Sequence, residues 1–246
     1  MDFYNEIFKR KSFHFFVNGE TTSEDVLNKV KNFIKGVKPL YDDIKVDMVI
    51  VPEKDTSCAR GADYCILFYS ETKGEYLRNI GYIGEQIDLY LSSIDVGSLW
   101  YGIGWPKRRV KNDLTYVIMM GFKKMPSNTF RKDMFKAKRK SLIEMWSGEE
   151  MNIANIVRFT PSACNTQPWF VKNKGNELLV YRYKKAGKRG IIPANKVLYY
   201  NKIDIGIFLF ILETCLIHEC VSYNRTLLDD TNDSNVEMSL IAKYTL

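Results

Sequence analysis

The stretch TPSACNTQPWF, Thr160 to Phe170, decides how this chain is read. Pro161 ends a helix, and Ser162, Ala163 and Cys164 are small enough to let the backbone lie close to a flat ring. Asn165 and Gln167 bring amide donors and acceptors, and Pro168-Trp169 opens a strand. Taken alone, the segment has two readings: a helix-to-strand loop with a packed tryptophan, or a platform for a planar ligand.

Working outward, a hairpin is expected from Trp169 to Lys172 and Glu177 to Tyr183, turned through Asn173, Lys174, Gly175 and Asn176. An apolar helix follows over about 203–218 and a strand from Glu237 to Thr245. Upstream, a basic helix is expected over about 133–146 and another over about 149–159. The first half has the same order of elements. Residues 2–10 form a short amphipathic helix, and Thr22 or Ser23 caps a second that runs towards Lys38 and stops before Pro39. Val46 to Val51 and Tyr64 to Ser70 have strand character. Ile80, Ile83, Ile87, Leu91 and Ile94 mark a helix over 80–98, and Thr115 to Phe122 is again a strand.

Two fragments support a duplication. KRKS stands at Lys9 to Ser12 and again at Lys138 to Ser141, and Ile87-Asp88-Leu89 matches Ile203-Asp204-Ile205. The expected division is 1–132 and 133–246, two related halves packed as one globular unit. The helix at 203–218 is apolar nearly all round, so burial on every side is expected.

Composition narrows the function. With 246 residues, 46% of them hydrophobic and 13% aromatic, the chain can bury a core and is not disordered. The charge of +7 comes from 36 basic and 29 acidic residues in short groups, Lys9–Lys11, Lys107–Arg109, Arg131–Lys140 and Lys184–Arg189. Such groups are ordinarily solvated faces, and no nucleic-acid motif accompanies them, so nucleic-acid binding is the weakest reading. Five cysteines at 58, 65, 164, 215 and 220 form no C-x-x-C pair, and there are only two histidines. No disulfide framework or metal site is expected, and a reducing cytoplasm suits free thiols. The longest apolar run, Ile205 to Leu212, is far short of the roughly 20 residues a membrane span needs.

Two further segments carry chemistry. In IFKRKSFHFF, Ile7 to Phe16, a helix runs into Arg10-Lys11-Ser12, two cations and a hydroxyl suited to a phosphate and a polyol chain. In GEQIDLYLSSIDVGSLWYGIGW, Gly84 to Trp105, a long helix leads to Gly102-Ile103-Gly104, where backbone N–H groups can approach a ligand.

Together the three resemble the nitroreductase family. Its PSxxNxQPW loop stands at Pro161 to Trp169, its RRSxRxF pattern is similar to Arg10 to Phe16, and its GLGSxWxG-like turn is similar to Val96 to Gly102. The resemblance implies an α+β fold with antiparallel sheets, long central helices and bound FMN. In the family each flavin takes its phosphate grip from one subunit and the PSxxNxQPW loop from the other. Only the second half has that loop here; Phe33 to Asp43 lacks it. The resemblance therefore implies a monomer acting as an internal pseudo-dimer with one FMN, the reciprocal pairing of Arg139, Lys140 and Ser141 with the degenerate loop being dead.

Residue by residue, the resemblance puts Arg10 and Lys11 on the phosphate and Ser12 on the phosphate or ribityl chain. His14 stands where the family places a cation near the flavin N1 and O2 edge. Pro161, Ser162, Ala163 and Asn165 line the ring, and the Gly102–Gly104 loop turns a backbone N–H towards N5. Arg60 and the cations around Arg131 and Lys132 are further candidates. The expected chemistry is hydride transfer from NADH or NADPH through flavin N5 to a nitroaromatic, a quinone or a similar acceptor, with no catalytic side chain. The alternative is a flavin-binding protein with little turnover, because a histidine at position 14 is cationic only when protonated.

Overall fold

The computed structural model describes residues 2–107, 113–184, 190–230 and 237–246, so parts of the basic groups at 107–109 and 184–189 lie outside the described residues. The chain divides into two compact units, Phe3–Met134 and Phe135–Leu246.

In the first unit, α1 (Tyr4–Lys9) and α2 (Glu24–Ile34) precede strands β1 (Val46–Pro52) and β2 (Tyr64–Ser70). Helix α3 (Tyr76–Ser93) then leads to β3 (Val96–Tyr101) and β4 (Thr115–Lys124). The four strands form an antiparallel sheet in the order β1-β2-β4-β3, with a bulge between Phe68 and Tyr69. Ser23 caps α2 by accepting from the Val26 N–H. The helix stops at Ile34, short of the expected Lys38, because α3 takes over the next backbone groups. Gln86 Oε1 accepts from Lys38 N at 3.0 Å, and Asn79 Oδ1 from Leu40 N at 2.8 Å.

In the second unit, β5 (Trp146–Gly148) and the short α4 (Ala154–Val157) precede β6 (Trp169–Asn173) and β7 (Glu177–Tyr183). Helix α5 (Val197–His218) is followed by β8 (Asn224–Leu227) and β9 (Met238–Thr245). The order is β5-β6-β7-β9-β8, antiparallel except that β5 runs parallel to β6, so this sheet is mixed rather than wholly antiparallel. From Asn201 to Leu216 only Lys202 and Phe210 of α5 are less than fully buried, the consequence of an apolar surface on every face.

Each unit thus has the same plan: a hairpin, a long buried helix, then two strands, with the last strand pairing between the hairpin and its predecessor. Both carry a bulge at the same pairing, β2 with β4 and β7 with β9.

Three expected helices do not form as read. Residues 133–146 make two single 3-10 turns, Met134–Lys136 and Leu142–Glu144, and then enter β5. The backbone between them is committed elsewhere: Lys140 N donates to Gln167 Oε1 at 2.8 Å, and Lys140 O accepts from Arg158 Nη1 at 3.2 Å. The helix expected over 149–159 contracts to Ala154–Val157. The helix expected over 80–98 ends at Ser93; Asp95 turns the chain with φ 56°, and Val96–Tyr101 is a strand rather than a helix end.

Candidate functional site

Arg10 closes α1, and its extended backbone turns its side chain inward onto α3. Its Nε lies 2.6 Å from Asp88 Oδ2, with the two side chains 7% and 0% exposed. Asp88 also accepts from Ser98 Oγ and, at 3.1 Å, from Trp100 Nε1. Glu85 is buried one turn away on α3. Burial, and then the charge of Asp88, hold Glu85 well above the ordinary carboxylate range, against the pull of Arg10. For Arg10 burial opposes the charge, but Asp88 and Glu85 outweigh it and raise its pKa. Arg10 therefore belongs to a buried polar cluster centred on Asp88.

The residues after it behave differently. Lys11 is exposed; its Nζ donates to Thr129 O at 2.9 Å and lies 5.0 Å from the Phe13 ring centroid. Ser12 is half-buried and pairs with Ser98 at the start of β3. Arg131 joins this corner, its N–H donating to Lys9 O at 3.0 Å. Burial and the nearby charge of Arg10 lower the Arg131 pKa, so a half-buried guanidinium stands here with its charge disfavoured. His14 is exposed.

Farther along, Phe16 N donates to Arg60 O at 2.9 Å, and the Arg60 guanidinium lies over the rings of Phe15 and Tyr101 at 4.7 and 5.6 Å. Gly102 is half-buried at the turn after β3. Gly104 is buried; a Cβ there would fall 2.5 Å from the Tyr101 ring, which explains the glycine by packing. Its own N–H donates to Tyr101 O at 3.3 Å.

In the second unit the 161–168 segment is fixed from beneath. Cys164, Asn165 and Gln167 all have positive φ, 48°, 57° and 48°, which non-glycine residues rarely adopt. Buried Asp204 of α5 accepts from Ala163 N at 2.9 Å and from Thr166 Oγ1 at 3.3 Å; Asn201 Oδ1 accepts from the same hydroxyl at 3.1 Å. Desolvation raises the Asp204 pKa to about 7, although the Ala163 and Thr166 hydrogen bonds pull it down. Ser162 Oγ closes the loop by accepting from Gln167 N at 3.0 Å. The outcome is a rigid shelf on which Pro161, Ser162 and Ala163 are half-buried and Cys164 and Asn165 exposed.

Cations border this shelf. Arg139 Nη1 donates to Asn165 Oδ1 at 3.0 Å, and Lys140 Nζ to Gln167 O at 2.9 Å. The sequence reading gave Arg139 and Lys140 to a decayed site with residues 33–43; the structure ties both to the asparagine loop of their own unit. Arg158 stacks 4.3 Å from the Phe159 ring centroid, and its buried Nε meets no hydrogen-bond acceptor among the described residues.

The structure therefore gathers Lys11, Ser12 and Arg131 in the first unit, and Pro161–Asn165 with Arg139 and Lys140 in the second. Sequence reasoning missed the two buried aspartates as anchors. Their signal was present in the repeated Ile-Asp pair, which sits on α3 and α5, the corresponding helices of the two units.

The family model described as "Putative TM nitroreductase" matches residues 2–215. Among solved structures, the chain is similar to one titled as a putative nitroreductase from Thermotoga maritima. Identity is 20%, the TM-score is 0.62, and the match covers 100% of this chain and 94% of that one, a likeness of fold. No curated protein matches. No described helix is long and apolar enough to cross a membrane. With the family model spanning the first unit and the second through most of α5, this chain belongs to that nitroreductase family.

Proposed function

We propose that the chain is an FMN-dependent oxidoreductase that passes reducing equivalents from NADH or NADPH to a small acceptor of the nitroaromatic or quinone class. The observation that carries this reading is the 162–167 shelf. Three non-glycine residues in left-handed conformations are held by a buried carboxylate, an arrangement that costs stability and is retained where a surface must keep its shape. Small side chains on that surface suit a planar ring.

The cationic corner after α1 fits a phosphate. Lys11 is exposed, Ser12 offers a hydroxyl, and Arg131 has a charge that burial and Arg10 disfavour and that an anion would stabilise. Arg10, committed to Asp88, supports this corner from within and does not grip the ligand directly. When bound, FMN supplies a two-electron carrier that accepts hydride at N5 and delivers it onward. The protein's part would be positional: Lys11, Ser12 and Arg131 of the first unit suit an anionic group, and Ser162, Ala163 and Asn165 of the second suit a planar ring. His14, exposed, and the half-buried turn at Gly102 would offer a polar side chain and backbone N–H groups to the ring.

The shared strand order, bulge and Ile-Asp pair support a further reading, that the units are copies of one ancestor standing in for the two subunits of a dimer. One FMN per chain follows, because only one unit carries the PSxxNxQPW loop.

The test is two-substrate steady-state kinetics with NADH and a nitroaromatic or quinone. Donor and acceptor using one face in turn give parallel double-reciprocal lines. Intersecting lines, or no oxidation of NADH or NADPH by FMN-loaded protein, count against the proposal.

A further inference from the structure

Cys58 and Cys65 are both in the first unit and are 6% and 0% exposed. Cys65 lies on β2, directly opposite Gly121 of β4. Side chains directly opposite in an antiparallel pair project from the same face, about 5 Å apart at Cβ. Gly121 has no side chain, and the space above it is taken by Cys58: a Cβ built at 121 would lie 3.6 Å from Cys58 Sγ. The sulfur of Cys58 thus packs beside Gly121, the cross-strand partner of Cys65, in the same apolar cluster as Cys65.

Thr56 draws the two together. Its hydroxyl donates to Glu53 O at 2.8 Å, accepts from Cys58 N at 3.0 Å and lies 3.7 Å from Cys65 Sγ. Coupling between the neighbouring thiols favours ionisation of Cys65 and, with burial, holds the proton on Cys58. The surroundings are apolar, with Leu67, Tyr69, Leu114 and Met119 in the same cluster.

We infer that Cys58 and Cys65 form a redox-modification site, a dithiol that a small peroxide converts to an intramolecular disulfide. The Cys65 thiolate attacks one peroxide oxygen; the S–O bond forms as the O–O bond breaks, and the departing hydroxide takes up a proton to become water. Cys58 sulfur then attacks the Cys65 sulfenic acid; the S–S bond forms, the S–O bond breaks, and the second hydroxide leaves as water with the Cys58 proton. Two thiols are oxidised by two electrons and one hydrogen peroxide is reduced to two waters. The bond would close the turn that carries Arg60 and Gly61, whose backbone meets Phe16 through Arg60 O.

The test is peptide mapping of the full-length protein after graded hydrogen peroxide, with remaining thiols alkylated. Trypsin cuts after Lys54, Arg60 and Lys73, so the two cysteines fall in separate peptides, 55–60 and 61–73. The expected result is a linked 55–60/61–73 species that dithiothreitol separates. It should form at peroxide levels no higher than those that oxidise exposed Cys164 and Cys220. In Cys58→Ser protein, dimedone should label Cys65 instead. The inference is overturned if Cys164 and Cys220 oxidise fully while both peptides stay separate and unmodified, or if either cysteine links only to a different partner. The wild-type map decides the matter even if the variant does not fold.

Discussion

The guanidinium Nε of Arg10 lies 2.6 Å from the carboxylate of Asp88, and almost nothing of either side chain reaches solvent. Breaking such a pair leaves an uncompensated buried charge. Asp88→Asn should destabilise the protein by about 3–5 kcal/mol, read from urea melts. A double replacement, Arg10→Met with Asp88→Leu, should recover most of that loss, since an apolar pair removes both charges. A single variant within 1 kcal/mol (roughly the value of an exposed pair) would contradict the buried geometry.

Lys11 and Arg131 should behave in the opposite way. With Arg10 committed internally, these two carry the proposed anion contact. Lys11→Ala and Arg131→Ala are each expected to weaken FMN binding by about tenfold, near 1.4 kcal/mol, with little change in the melt of the FMN-free protein. Fluorescence titration with FMN measures this. Unchanged affinity in both would remove the phosphate assignment.

Asp204 predicts a pH dependence. Its folded pKa of about 7 stands above the ordinary 3.8, so the folded state holds the proton more tightly than the unfolded chain. Between those values the folded chain is protonated and the unfolded one ionised. Stability from this group is therefore greatest at the acid end, falls as pH rises from about 4 to 7, and is level above that. At about 1.4 kcal/mol per pH unit the span is on the order of 4 kcal/mol. Asp204→Asn should flatten the wild-type slope across that window in urea melts at stepped pH. An unaltered slope would place the titration elsewhere.

Gly84 is a packing prediction. A Cβ there would fall 2.2 Å from Trp100 Cη2, inside any real contact. Gly84→Ala must displace an indole that stacks on Phe68 and donates to Asp88. A loss of about 1–3 kcal/mol with a changed tryptophan emission is expected. Wild-type stability and emission would mean that the indole moves freely.

The sequence was most legible where local chemistry and tertiary structure agree. Tyr64–Ser70 is a short continuous apolar run that pairs on both sides, and the hairpin at 169–183 turns at Gly175 with φ 85°. It was least legible where tertiary bonds displaced local preference. The basic run after Met134 has helix-forming residues, yet its backbone bonds to Gln167 and Arg158, partners invisible to periodicity. The helix expected over 80–98 overlaps Val96–Tyr101, where Gly97 instead lies in a strand. In the strand that glycine leaves room for Phe13 and Met125, each under 3 Å from where a Cβ would stand. Arg10 was legible as functional chemistry but not as a buried group, since its partner Asp88 is far away in sequence.

The central proposal, flavin redox on the asparagine shelf, is tested most directly by the visible absorption spectrum of FMN-reconstituted protein under anaerobic conditions, before and after NADH or NADPH. The account predicts a yellow protein that the nicotinamide bleaches and that a nitroaromatic or quinone restores. A protein that stays colourless after exposure to FMN, or a yellow one that neither nicotinamide bleaches, would contradict it.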